Sequence, residues 1–125
     1  MKSSRVREIV VLSLLFASAA NADDEYPLGP DSLEQQGVAK GEIHGPLKWT
    51  SEIFPGTERD YWIYVPSQYE KEKPACVMVV QDGLNRANGW KLTTVMDNLI
   101  HKREMPVTIG IFVNPGVVPA PHEKA

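Results

Sequence analysis

The stretch of this chain best placed to do chemistry is Gln81-Asp82-Gly83-Leu84, which follows directly on the apolar run Cys76-Val77-Met78-Val79-Val80. A continuous apolar run of that kind reads as a strand buried on both faces, as in parallel sheets sandwiched between helices. The polar, turn-forming Gln-Asp-Gly marks where such a strand leaves the sheet. Ligands of α/β folds bind at the carboxyl ends of strands, and a glycine there lets a substrate approach the main chain closely. A plain surface turn is the competing reading. The other reactive residue types form no constellation. His44, His101 and His122 contain no pair at metal-ligand spacing, and neither H-E-x-x-H nor C-x-x-C occurs, so no metal site or cofactor is expected. Each histidine reads as solvated surface. Cys76 is the single cysteine, so no internal disulfide frames the fold. Inside an apolar strand its thiol is expected to act as a small hydrophobe, without the exposure that reactivity needs.

The ends and the charge balance narrow the class. Lys2, Arg5 and Arg7 precede an apolar run from Ile9 to Ala20, and Ala20-Asn21-Ala22 supplies the small residues of a cleavage site. That is the pattern of a signal peptide over residues 1–22, with cleavage after Ala22. The run is short for a bilayer span and no second one follows, so no stable membrane anchor is expected. The chain carries 13 Lys+Arg against 16 Asp+Glu, a net charge of −3. Losing the leader removes three bases and one acid and makes the remainder more acidic still. With no basic cluster or basic-aromatic stripe, nucleic acid is not an expected partner. An acidic exported protein, periplasmic or secreted, is the reading.

The elements that must hold the 81–84 stretch can be read in order. Residues 23–40 form a polar, extended lead-in, with one helical turn near Ser32-Leu33-Glu34. A domain is expected over residues 41–125. Gly41 to His44 is a possible first strand, broken by Gly45-Pro46. Leu47 to Ile53 alternates as a strand, with Leu47 and Trp49 on one side and Lys48 and Thr50 on the other. Phe54-Pro55-Gly56-Thr57 is a turn, and Arg59 to Val65 is an aromatic and β-branched strand that completes an antiparallel hairpin. Glu70-Lys71-Glu72-Lys73 is a solvated loop. After the central strand Ala75–Val80, the apolar residues Leu92, Val95, Met96, Leu99 and Ile100 recur at helical spacing, with Lys91, Thr94, Asp97, Asn98 and His101 on the other face. Asn88 is the expected N-cap, and Lys102 and Arg103 suit the last turn. Val107 to Val113 is a further buried strand, ended by Asn114-Pro115-Gly116. Strand, helix and strand from 75 to 113 form a crossover with a parallel strand pair. The fold class is α/β: an antiparallel hairpin leading into a parallel βαβ unit.

Several of these segments together resemble a known family. Arg59-Asp60-Tyr61-Trp62-Ile63-Tyr64-Val65-Pro66 resembles the R-x-Y-x-V-Y-V-P strand of the esterase family that includes enterochelin esterases, esterase D and bacterial feruloyl esterases. Gln81-Asp82-Gly83 is similar to the QDG or LDG after its third strand, Asp97-Asn98-Leu99-Ile100 to its next helix, and 106–116 to the strand and loop beyond. The similarity runs from about Leu47 to Pro119. It implies an incomplete α/β-hydrolase-type sheet and a serine carboxylic-ester hydrolase acting on siderophore or polysaccharide-linked esters, with a small-molecule or carbohydrate-linked ester as substrate.

The family's nucleophile sits in a G-x-S-x-G elbow, with acid and histidine later in the chain. The serines after the leader, Ser32, Ser51 and Ser67, do not lie between glycines. The resemblance therefore covers only the family's N-terminal part: no catalytic residue is expected here, the triad is expected after Ala125, and the chain is read as a truncated or fragmentary product, inactive by itself. What the resemblance does assign is the second oxyanion-hole loop, with a backbone N–H of Gly83 or Leu84 as donor and Asp82 as a brace of the loop. Asn114, at the carboxyl end of the last strand, is expected on the same rim as Gly83, either lining the substrate cleft or as part of a structural loop. The alternative is a small exported, non-catalytic binding or interaction module.

Overall fold

The computed structural model describes residues 27–119, so the expected leader at 1–22 and His122 lie outside the described residues. Four strands and two helices follow one another as β1 (Glu42–Thr50), β2 (Glu58–Val65), β3 (Cys76–Gln81), α1 (Gly83–Gly89), α2 (Leu92–His101) and β4 (Thr108–Val113), after a 3₁₀ turn at Pro30–Ser32. The strands form one mixed sheet in the order β1-β2-β4-β3. β1 and β2 pair antiparallel, β2 and β4 antiparallel, and β3 and β4 parallel. The antiparallel hairpin and the parallel crossover are thus both present, joined through β2 and β4. The fold is mixed α/β.

β1 departs from the sequence reading. The expected strands before and after Gly45-Pro46 are one strand, because the break is a bulge: His44 pairs with Ile63 and Leu47 with Tyr61. Two residues are looped out where one would keep the pleat, so odd-numbered residues after the bulge take the face held by even-numbered ones before it. That puts Leu47 and Trp49 on the face of His44. The strand ends at Thr50 because the next residues close the hairpin. Phe54 N–H donates to Ser51 Oγ at 3.0 Å, and Thr57 N–H donates to the Phe54 carbonyl at 3.1 Å. Gly56 takes the positive φ of 81° that this turn requires.

All described helices lie on one face of the sheet. The register places Tyr64, Gly110 and Met78 side by side there, with Trp62, Phe112 and Val80 in the next row. Tyr64, Ala87, Met96, Ile100 and Phe112 form the buried core, with Trp62, Val80, Leu84 and Leu92 packed around it. β4 alternates accordingly: Thr108, Gly110 and Phe112 are buried, while Ile109, Ile111 and Val113 on the opposite face are only partly so. Among the described residues no helix covers that opposite face. The expectation that β3 is buried on both sides is therefore corrected. Among the described residues it is an edge strand, with Val77 59% and Val79 58% exposed, because there it pairs with β4 alone and helices lie on one face. Cys76 is likewise exposed, contrary to its expected place in the interior, because it opens this edge strand.

The helical region holds two further corrections. The polar stretch after Gly83 is itself a helix, α1, so Asn88 lies within it and does not cap α2; Lys91, at φ 55°, precedes α2 instead. Asp97 and Asn98, expected on the helix face opposite the apolar stripe, are buried. The Asp97 carboxylate accepts from Gly41 N–H at 2.8 Å and from Tyr64 Oη at 2.5 Å. Asn98 Nδ2 donates to the carbonyls of Asp31 at 2.7 Å and Leu33 at 2.9 Å. The lead-in folds back over α2 and turns that flank into interior. Burial, and then the hydrogen bond to and charge of Asp97, hold the Tyr64 phenol well above the ordinary tyrosine range.

Candidate functional site

The site is assembled from the carboxyl ends of the two parallel strands. β3 ends at Gln81 and β4 at Val113, and these two residues are register partners, so Asp82-Gly83 and Asn114 leave the sheet side by side. Asp82 adopts φ 65° and Gly83 φ 71°, two successive left-handed residues that swing the chain from strand into α1. Aspartate is among the few residues with a side chain that tolerate this conformation, and glycine adopts it freely.

Gly83 is buried, and a Cβ there would run into the Asn114 carboxamide and come within 3.5 Å of Trp62 Cζ3. The glycine is therefore required twice, by its backbone angle and by the close approach of the neighbouring loop. Asn114 is fixed in turn by its own N–H, which donates to the Asp60 carbonyl at 2.9 Å. Leu84 is partly buried and packs against the core, which anchors the first turn of α1. The opening N–H groups of a helix have no acceptor within it, and here they belong to Gly83 and Leu84. The structure brings Gly83 and Asn114 together on one rim, with Asp82 exposed at its margin.

Two concavities flank the rim. One is an open groove of about 620 Å³ lined by Asp82, Asn85, Arg86, Gly89, Trp90 and Pro115. Trp90 is 52% exposed there, and the Arg86 guanidinium lies 5.8 Å from the centre of its ring. The other is a cleft of about 240 Å³ on the far side of Asn114-Pro115, reached by Lys48, Glu58 and Asp60. Lys48 Nζ stands 3.3 Å from the Asp60 carboxylate and 4.0 Å from that of Glu58, and Arg59 also lines the cleft, so two cations there face two carboxylates. Sequence reading missed the Arg86–Trp90 wall. Its signal was the i, i+4 spacing of Arg-Ala-Asn-Gly-Trp, which only means something once 83–89 is known to be helical.

No serine, histidine or cysteine side chain joins this rim among the described residues. Ser51 is buried in the hairpin turn, where its hydroxyl accepts the Phe54 N–H. Ser67 follows the end of β2 and His101 ends α2, and both lie toward the amino ends of the parallel strands, across the sheet from the rim. His44 is exposed on β1 beside Glu42, at 3.7 Å. Among the described residues no cluster of three or more His, Cys, Asp or Glu side chains is arranged to hold a metal ion. No helix of the described residues is long and apolar enough to cross a membrane. No family model matches the chain, and no curated protein sequence matches it.

Proposed function

We propose that this chain is the N-terminal part of an exported serine carboxylic-ester hydrolase, in which the Asp82–Leu84 loop supplies half of an oxyanion hole. The observation that carries this reading is the pair of left-handed residues at the carboxyl end of β3, with buried Gly83 pressed against Asn114. A loop so constrained holds backbone N–H donors in place before any substrate arrives, which is what stabilisation of a developing oxyanion requires. Removing one such donor typically costs about 10²–10³ in rate. The strand order, an antiparallel pair leading into a parallel crossover, agrees with the opening of an α/β-hydrolase-type sheet.

Hydrolysis would proceed by attack of a serine on the ester carbonyl, collapse of the tetrahedral intermediate to an acyl-enzyme, and release by water. The serine, its histidine and its acid belong to chain beyond Ala125. Siderophore or carbohydrate-linked esters are the proposed substrates, and the exported compartment is the proposed location. The reading is tested by the coding sequence downstream of Ala125, where an in-frame G-x-S-x-G is expected; continuous coding sequence without it would exclude the reading. Residues 1–125 alone are expected to hydrolyse p-nitrophenyl acetate no faster than buffer.

A second reading, a non-catalytic interaction module, is favoured by a different observation: the sheet face opposite the helices is apolar and uncovered among the described residues.

A further inference from the structure

We infer that residues 29–41 form a strap that opens as a unit, hinged where Gly41 leads into β1, while the sheet and its helices stay folded. No residue from Pro27 to Gly41 is buried, and none belongs to the core around Tyr64 and Phe112. The leucines of this stretch, Leu28 and Leu33, are 55% and 64% exposed. What holds the strap is polar. Asn98 Nδ2 donates to the carbonyls of Asp31 and Leu33, Asp97 accepts the Gly41 N–H, and Lys102 Nζ stands 2.8 Å from the Asp31 carboxylate. Beneath the strap lies a cavity of about 60 Å³ bordered by Val38, Thr94, Asp97 and Asn98, roomy and polar enough to admit water.

Such a seam can part at low cost. When it opens, Thr94, Asn98 and Lys102 stand on the flank of α2 opposite its apolar stripe, and water takes the place of the strap's main-chain groups. Exchanging a protein hydrogen bond for one to water changes the free energy little, whereas the sheet is held by buried aromatic rings whose exposure is costly. Segments with few buried apolar contacts are the ones that open locally. The hinge is set by close approach: a Cβ on Gly41 would lie 2.4 Å from Tyr64 Cε2 and 2.6 Å from the Val65 carbonyl oxygen, and Glu42 pairs with Val65 in the sheet. Once open, residues 29–40 at about 3.3 Å each reach roughly 40 Å from the hinge, an extended segment that a protease can take while the sheet is intact. The strap's contacts all lie among the described residues and none is made to the Asp82–Leu84 loop or Asn114, so the inference does not rest on the ester-hydrolase reading.

Native-state hydrogen exchange of the full chain in rising, sub-denaturing urea tests it. The N–H groups of Leu33, bonded to the Pro30 carbonyl, and of Gly41, bonded to Asp97, report on the strap, and the amides of β4 report on global unfolding. The strap amides are expected to be at least about 100-fold less protected than those of β4, with little dependence on urea, because their opening exposes little surface. Asn98→Ala removes the donor to both strap carbonyls and is expected to speed exchange about tenfold at Leu33 and equally at Gly41, whose own hydrogen bond it leaves in place. Lys102→Ala, at a part-exposed ion pair, carries the same test without touching a buried group and should give about threefold at both amides. Gly41 protected to the level of β4, with the same urea slope, overturns the inference, because the strap is then part of the global fold. A faster Leu33 with an unchanged Gly41 in either variant also overturns it, because the segment then frays and does not move as a unit.

Discussion

The two faces of the sheet are built from neighbouring residues of the same strands, yet they differ in kind. On the helix-covered face Tyr64 and Phe112 are 1% and 0% exposed and lock against Met96, Ala87 and Ile100. On the other face Val77 and Val79, one residue away from the partly buried Met78 and Val80, stand open to solvent. Residue type does not separate them, since both faces are apolar. What separates them is whether a helix is laid across. The comparison teaches that apolar strand sequence states a need for cover, and connectivity decides which side receives it.

The contrast is broken most forcefully from the covered side. Phe112→Ala is expected to cost about 3–5 kcal/mol by urea denaturation, through lost burial and the cavity left behind. Asp97→Ala should follow at about 2–3 kcal/mol, because Tyr64 Oη and Gly41 N–H would both lose their acceptor. The same pair predicts a pH response. The phenol of Tyr64 is held above its ordinary value in the fold, whereas in the unfolded chain it ionises near pH 10. Its contribution to stability is therefore complete below that pH and falls away as pH rises beyond it. Tyrosinate absorbance during alkaline unfolding should show Tyr64 ionising only as the fold opens, and Tyr64→Phe should flatten the alkaline loss of stability.

Gly83→Ala comes next, at about 1–2 kcal/mol from the left-handed backbone alone. The added methyl group also meets Asn114, so part of the loss should be recovered in Gly83→Ala/Asn114→Gly. A double-mutant cycle with no recovery would show that the two loops do not press on one another. The smallest effect sharpens the contrast: Val77→Lys/Val79→Lys should change unfolding of the chain by less than about 0.5 kcal/mol. A large loss there would mean that the open face is already covered.

Much of the architecture is legible in the sequence. The aromatic strand β2, the turn at 54–57 and the apolar stripe Leu92–Ile100 each follow a local period or turn signal. So did the crossover from β3 to β4, which needs only a strand, a helix of sufficient length and a second strand. The rim was legible in part. Gly83 and Asn114 could be assigned to one end of the sheet from topology, but their contact, and the need for glycine it creates, depends on the register Gln81–Val113. The Arg86–Trp90 wall was hidden because 83–89 begins and ends on glycine and offers a single apolar pair, Leu84 and Ala87, too short a period to mark a helix.

What the sequence by itself determined is therefore local: the aromatic strand β2, the hairpin turn, the apolar stripe of α2 and the order of the crossover, whereas the helix Gly83–Gly89 and the continuity of β1 through its bulge escaped it. Hydrophobic periodicity and turn chemistry act over a few residues, and a single chain displays them directly. Only the tertiary structure decided which apolar surfaces are covered. Asp97 and Asn98 became interior because the lead-in, more than 50 residues earlier, folds over them. Val77, Val79 and Cys76 became exterior because β3 took the edge and every described helix took one face. Burial is a property of the neighbours a residue acquires in space, and those neighbours lie too far along the chain for any local pattern to announce them.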